Sequence, residues 1–208
     1  MPTSDPEGIA PVIRTVMSLR PTSILDVGIG MGKWGLLFRE YLEAWGHHRY
    51  SRGQWQGIID GVEAYGAYIQ PWHRELYNQI YVGDVRVLAP DFGHYSLVYM
   101  GDVIEHMPKA DGHALLATLR FQHCIVSTPL MRTQAKRGKP NVYLDHLSQW
   151  TAADFKPYRH KVIHAGKLLV VAVTVSSPAP VLIVVLPSTV RSTRPMVSAP
   201  LPVVMVRL

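Results

Sequence analysis

The sequence predicts an α/β fold, doubly wound around a mostly parallel seven-stranded sheet whose last strand is antiparallel. Three observations predict it. Short apolar runs alternate with longer amphipathic stretches along most of the chain. The runs are continuously apolar, as strands covered on both faces are, rather than alternating apolar with polar. A glycine-rich turn, "DVGIGMGKWG", joins the first apolar run to an amphipathic stretch. Right-handed crossovers then place helices on both faces of one sheet.

The elements follow in order. Ile9, Val12, Ile13, Val16 and Met17 carry the i, i+3, i+4 spacing of a helix lying on a core, and Pro21 stops it; residues 1–22 read as an N-terminal helix. The main domain spans 23–175: strand "SILDV", helix "GKWGLLFREYLEAW", strand "GIIDGVE", a helix from about Ala67 to Gln79, strand "QIYV", strand "SLVYMG", helix "ADGHALLATLR" and strand "HCIVST". A loop from Pro129 to Leu147 leads to "TAADF", which reads as an N-capped turn at Thr151. "RHKVIHA" and "KLLVVAVTV", joined at Gly166, read as an antiparallel hairpin closing the sheet. Residues 176–208 differ in composition: six prolines and no acidic side chain, which excludes regular structure over most of their length and suggests an extended or disordered tail. Translation in a shifted reading frame gives the same bias, and reading the encoding DNA in its other frames tests that.

With 208 residues and 48% hydrophobic content, the chain supports one well-buried domain plus appendages. The single cysteine, Cys124, sits in the apolar run "CIVSTPL" and excludes an intramolecular disulfide, so a reducing cytoplasm is expected. Asp5 and Glu7 precede any apolar run, which argues against a signal peptide, and no stretch has the roughly 20 apolar residues of a membrane span. The net charge of +6 is carried by the end of the chain: seven of the 21 Lys and Arg follow Asp154, and none of the 15 acids does. The preceding body is nearly neutral and lacks a concentrated basic face, so no nucleic-acid partner is expected.

The glycine turn fits two templates. Gly30, Gly32 and Gly35 read as G-x-G-x-x-G, which suggests a dinucleotide; Asp26, Gly28, Gly30 and Gly32 read as D-x-G-x-G-x-G, which suggests S-adenosylmethionine. The acids decide between them. Asp26 lies in the last turn of the first strand, Glu63 ends the second, Asp84 follows the third beside Val85, and Asp102 ends the fourth. Each alone reads as a solvated or helix-capping acid. Together at four successive strand ends they suit a cationic ligand without phosphate, and a diphosphate would meet repulsion.

The set "ILDVGIGMGKWG", "GVEA", "VGDV" and "DVIEHM", in this order and spacing over about Ile24 to Val175, resembles the class I S-adenosylmethionine-dependent methyltransferases. "GDVIEHM", "STPL" and "DHLSQWTAADF" most resemble the bacterial small-molecule and glycan-associated branch. The resemblance implies a Rossmann-like methyltransferase fold with S-adenosylmethionine as cofactor. It would place Asp26, Gly28, Gly30 and Gly32 around the methionine part, Glu63 at the ribose, Asp84 and Val85 at the adenine, and Asp102 near the sulfonium. An insertion, "GHHRYSRGQWQ", and the tail have no counterpart in the pattern.

A hydroxyl acceptor benefits from a base, and three residues are candidates for catalysis. Glu105 and His106 follow the fourth strand at the rim where an acceptor would enter, although a Glu there also suits the dipole of the following helix. His146, beside Asp145, sits after the long loop that would reach over the same pocket. No metal is expected, since His47 and His48 lack supporting ligands and His106 with Asp102 is too small a set. The expected activity is methyl transfer to the hydroxyl of a small molecule or glycan. The rivals are an NAD-dependent oxidoreductase and a non-catalytic protein retaining the fold. Oligomeric state and acceptor identity leave no trace in the sequence.

Overall fold

The computed structural model describes residues 3–130 and 142–174. The tail expected over 176–208, and the part of the long loop at 131–141, lie outside them.

Helix α1, Ile9–Leu19, follows a short turn in which Asp5 accepts the Glu7 N–H at 2.9 Å. It buries Val12, Ile13 and Val16 and ends at Arg20, which adopts the left-handed conformation (φ 49°) just before Pro21. Strand β1, Ser23–Val27, leads into α2, Lys33–Arg39, which continues as a π turn over Glu40–Ala44. Strand β2, Ile58–Glu63, is followed by α3, Pro71–Leu76, half the expected length: Pro71 takes the first position of the helix and Tyr77 leaves it in extended conformation. Strand β3, Ile80–Val82, precedes α4, Val85–Leu88, one turn too short to show a period in the sequence. Strand β4, Tyr95–Gly101, helix α5, Lys109–Thr118, and strand β5, Phe121–Pro129, complete the parallel body. The Ala152–Phe155 turn is capped reciprocally by Thr151 and Asp154, and β6, His160–Ala165, with β7, Leu168–Thr174, forms the hairpin.

The sheet order is β3-β2-β1-β4-β5-β7-β6, with β7 antiparallel to both neighbours and the other pairings parallel, as the sequence predicts. Period-two alternation sorts each strand between two core layers. Leu25 and Val27 face the layer containing Leu115, Leu116 and Trp150, while Ile24 faces that of Val12, Val16, Trp34 and Phe38.

The 46–56 insertion is tied down at the amino end of the sheet, where Gly57 enters β2. Buried Glu43 accepts from Arg49 Nε at 2.6 Å and from the Gly57 N–H at 2.7 Å, and the Arg39 guanidinium stacks on Trp55 at 4.3 Å. It therefore lies away from the strands' carboxyl ends.

Gly35 illustrates how tightly α2 packs on the strand layer. A Cβ there would stand 2.4 Å from Tyr77 Cζ, and that ring is anchored by its hydroxyl on Asp26. Gly35→Ala is expected to destabilise the fold by about 1–3 kcal/mol in urea denaturation, the usual cost of overpacking. Undiminished stability would show that the Tyr77 ring can move aside.

Candidate active site

The chain leaves β1 toward β2 on one side and returns to β4 on the other, so the crevice at the carboxyl ends of β1 and β4 is the topological switch point. The loop after β1 crosses closely over the end of β4. Gly28 has φ 77°, donates its N–H to the Val62 carbonyl at 2.8 Å, and a Cβ there would stand 2.5 Å from Val103 Cγ2. Above it opens a cavity of about 530 Å³, within the size range of small-molecule sites. Of the predicted cofactor residues, Gly28, Gly30, Glu63, Asp84, Val85 and Asp102 line it; all three predicted catalytic residues, Glu105, His106 and His146, line it as well.

Glu63 is the best-defined of the acids. It is buried at the end of β2, where Oε2 accepts the Gly30 N–H at 3.0 Å and Oε1 the Tyr65 N–H at 2.9 Å. Each oxygen keeps a further lone pair. Burial raises its pKa, and the backbone donors at Tyr65 and Gly30 oppose the rise. The carboxylate thus fixes the glycine loop while facing the cavity.

Asp102 occupies the left-handed region (φ 54°), uncommon for residues other than glycine although Asp and Asn adopt it most readily, and is held by its N–H on the Ser127 carbonyl at 2.9 Å. Burial pushes its carboxyl up to about 6, against the Ser4 hydroxyl and the Lys33 charge, which lower it. Asp84 lines the cavity beside Val85, but it also caps α4, accepting the Arg86 N–H at 2.9 Å, and pairs with the Arg86 guanidinium at 2.5 Å. Arg86 therefore takes up most of the acceptor capacity foreseen for adenine.

Two of the expected cofactor residues lie off the cavity wall. Asp26 does not line the cavity. Strand alternation turns it to the same face as Ile24, where it is fully buried and accepts the Tyr77 O–H at 2.6 Å; burial raises its carboxyl to about 7. Gly32 does not line it either. With φ 80° it caps α2 against the His73 ring, and a Cβ would stand 2.8 Å from His73 Cδ2. Both residues shape the turn from beneath.

The catalytic candidates form one cluster. Glu105 N-terminally anchors the returning segment: its carbonyl accepts the N–H groups of Leu147 at 2.8 Å and Ser148 at 3.0 Å, while Ser148 Oγ donates to Met107 O at 2.7 Å and Trp150 Nε1 to Ile104 O at 3.1 Å. These bonds dock His146 onto the turn that carries His106. The two imidazole rings lie 4.9 Å apart, edge to face. His106 Nδ1 sits 3.1 Å from the Asp145 carbonyl, which can only accept, so this nitrogen carries the proton and Nε2 faces Glu105 Oε1 at 4.0 Å. Asp145 contributes its carbonyl to this contact. Glu105 is 1% exposed; Thr128 Oγ1 donates to Oε2 at 3.0 Å, but Oε1 has no hydrogen-bond partner among the described residues. Burial and then the Asp102 charge push this carboxyl up to about 8.

That cluster bears on the expectation of no metal, because its side chains form a set that could hold a cation. One donor atom each from Glu105, His106 and His146 lie within 4.8 Å of one another, a set that converging on a single cation would satisfy. An orphaned, buried carboxylate oxygen beside two imidazoles fits a cation well. Sequence spacing hid the site, because His146 arrives from beyond the long loop. His48, by contrast, contacts the Tyr50 hydroxyl at 2.8 Å on an exposed turn.

Several cavity residues carry no sequence signal: Thr3 and Ser4 from the N-terminal segment, and Tyr143 after the loop. Lys33 also lines it, and its place directly after the glycine turn was the available clue. Among the aromatics, Trp34 and Tyr68 reach the cavity, whereas Trp150 is core.

No helix among the described residues is long and apolar enough to cross a membrane. No protein-family model and no curated protein matches the sequence. Solved structures do match. The methyltransferase domain of bacterial CtHen1 aligns at 18% identity and a TM-score of 0.54, over 81% of this chain and 97% of that one. The N-terminal domain of EvdMO1 with SAH bound aligns at 15% identity and a TM-score of 0.59, over 81% of each chain. PigF with SAH aligns at 15% identity and 0.53, over 81% of this chain and 56% of that one. With the strand order and the glycine turn at the switch point, these alignments show that the chain has the Rossmann-like methyltransferase fold.

Proposed function

We propose that this protein transfers the methyl group of S-adenosylmethionine to a hydroxyl of a small molecule or glycan, assisted by a divalent cation held by Glu105, His106 and His146. The convergence of those three side chains on the cavity, their donor atoms within 4.8 Å, carries the reading. The cofactor assignment is supported by SAH in the structurally similar EvdMO1 and PigF, and by a cleft in which acids outnumber the two cations, Lys33 and the acid-paired Arg86. A sugar acceptor is supported by the EvdMO1 structure obtained in the presence of SAH and D-fucose, at 16% identity and a TM-score of 0.58 over 83% of this chain and 85% of that one. The single buried cysteine, Cys124, fits a reducing cytoplasm.

The reaction is an in-line displacement: the acceptor oxygen forms a bond to the methyl carbon, the carbon–sulfur bond breaks, and its electron pair stays on sulfur, giving S-adenosylhomocysteine. The hydroxyl proton leaves to solvent or to a neighbouring base. Because the sulfonium is already a good leaving group, the protein's contribution is alignment. Glu63 and the glycine loop hold the nucleoside, and Asp102 supplies negative charge near the end of β4. His106, oriented by the Asp145 carbonyl, presents Nε2 to the acceptor side with Glu105 and His146. A divalent ion there would lower the pKa of a bound hydroxyl and fix its direction.

The test is transfer of labelled methyl to a panel of sugars and vicinal diols after chelation, then with added Mn²⁺, Co²⁺, Zn²⁺ or Mg²⁺. The proposal expects negligible transfer in chelator and recovery with at least one ion. Undiminished transfer in chelator would replace the cation by His106 acting as a general base. A dehydrogenase reading is disfavoured by Glu63 and Asp102 at the ends of β2 and β4, whose negative charge a diphosphate would meet.

A further inference from the structure

S-adenosylmethionine is cationic at sulfur but also ends in an α-carboxylate, and a cleft with Glu63 and Asp102 at its strand ends is hostile to that anion. Among the described residues lining the cavity, two side chains are Lys or Arg. One, Arg86, lies after β3 and is neutralised by Asp84 at 2.5 Å and Asp111 at 2.7 Å. The other is Lys33, the first residue of α2, half-buried directly after the glycine turn and therefore beside the end of the cleft that holds Asp102 rather than the end that holds Asp84. Its ammonium donates to the Ser4 carbonyl at 2.5 Å and lies 5.8 Å from the Trp34 ring centroid. The charges of Asp102 and Asp5 act on it from beyond ion-pair distance, and with three N–H donors and one of them on a neutral carbonyl the group keeps capacity for a further anion.

We propose that Lys33 binds the α-carboxylate of the cofactor, so that the site distinguishes amino-acid-bearing nucleosides from truncated ones. This rests on the methyltransferase reading. The pairing places a cation against the one negative group of the ligand and leaves the carboxylates to its positive groups. The N-terminal segment takes part: Ser4, whose hydroxyl accepts from Trp34 Nε1 at 3.3 Å, keeps the Lys33 side chain directed along the cavity wall instead of into solvent.

Calorimetry with two ligands tests it. S-adenosylhomocysteine carries the carboxylate; 5′-methylthioadenosine lacks the whole amino-acid end. Lys33→Met keeps the length of the aliphatic stem and removes the charge. A charge-assisted contact of ordinary strength corresponds to a roughly ten- to hundredfold loss in S-adenosylhomocysteine affinity, with 5′-methylthioadenosine binding unchanged within about twofold. Unchanged S-adenosylhomocysteine affinity, or equal weakening of both ligands, would overturn the role of Lys33. Failure of the wild-type chain to bind either ligand would overturn the methyltransferase reading itself.

Discussion

Glu63→Ala is expected to weaken S-adenosylhomocysteine binding by at least about a hundredfold in calorimetry. The side chain does two things at once. It accepts the Gly30 and Tyr65 N–H groups, at 3.0 and 2.9 Å, and it presents its remaining lone pairs to the cavity where a ribose would sit. Deletion leaves two donors without their acceptor and removes the partners of two hydroxyls; at roughly 1.5–3 kcal/mol for each bond to a charged group, two lost ribose contacts alone reach that factor. Glu63→Gln, which keeps an acceptor for one of the two loop donors, should lie between. Unchanged affinity in the alanine variant would show that the ribose lies elsewhere.

The second large effect falls on the acceptor side. His146→Ala is expected to lower cation-supported methyl transfer by about a hundredfold or more and to raise the Mn²⁺ concentration needed for half-maximal activity, with S-adenosylhomocysteine affinity unchanged. Losing one ligand of three weakens the ion's hold, while the nucleoside subsite across the cleft is left intact. Glu105→Gln should act in the same direction, since an amide oxygen is a poorer ligand than the carboxylate oxygen orphaned at that position. Equal turnover and equal Mn²⁺ dependence in His146→Ala and wild type would remove the three-residue cation site from the account.

Much of the fold was legible because its strands are continuously apolar: "SILDV", "SLVYMG" and "HCIVST" are buried on both faces, and their shortness and β-branched content favour a strand over a buried helix. The helices were less so. Pro71 and the departure of Tyr77 cut α3 to Pro71–Leu76, and α4 at Val85–Leu88 is shorter than the window in which a 3.6-residue period can be seen.

In the site, Gly28, Gly30, Glu63 and Asp102 were readable because loop position at a strand's carboxyl end fixes where they go. Asp26 lies off the cavity wall for a related reason. Its place on the strand was right, but alternation decides which face it takes, and the sequence does not say which layer roofs the ligand; the Tyr77 hydroxyl claims it instead. Asp84 was placed correctly and its neighbour overlooked, since Arg86 two residues on reaches back to it. The cation cluster depended on a fold-level event, the stitching of Leu147 and Ser148 to the Glu105 carbonyl, which no spacing in the chain announces.

The central claim is that this cleft binds a phosphate-free nucleoside bearing an amino-acid end rather than a dinucleotide. Calorimetric titration of the full chain with S-adenosylhomocysteine and, separately, with NADH tests it most directly. The account predicts saturable binding of one S-adenosylhomocysteine per chain and no heat with NADH; saturable binding of NADH alone would contradict it.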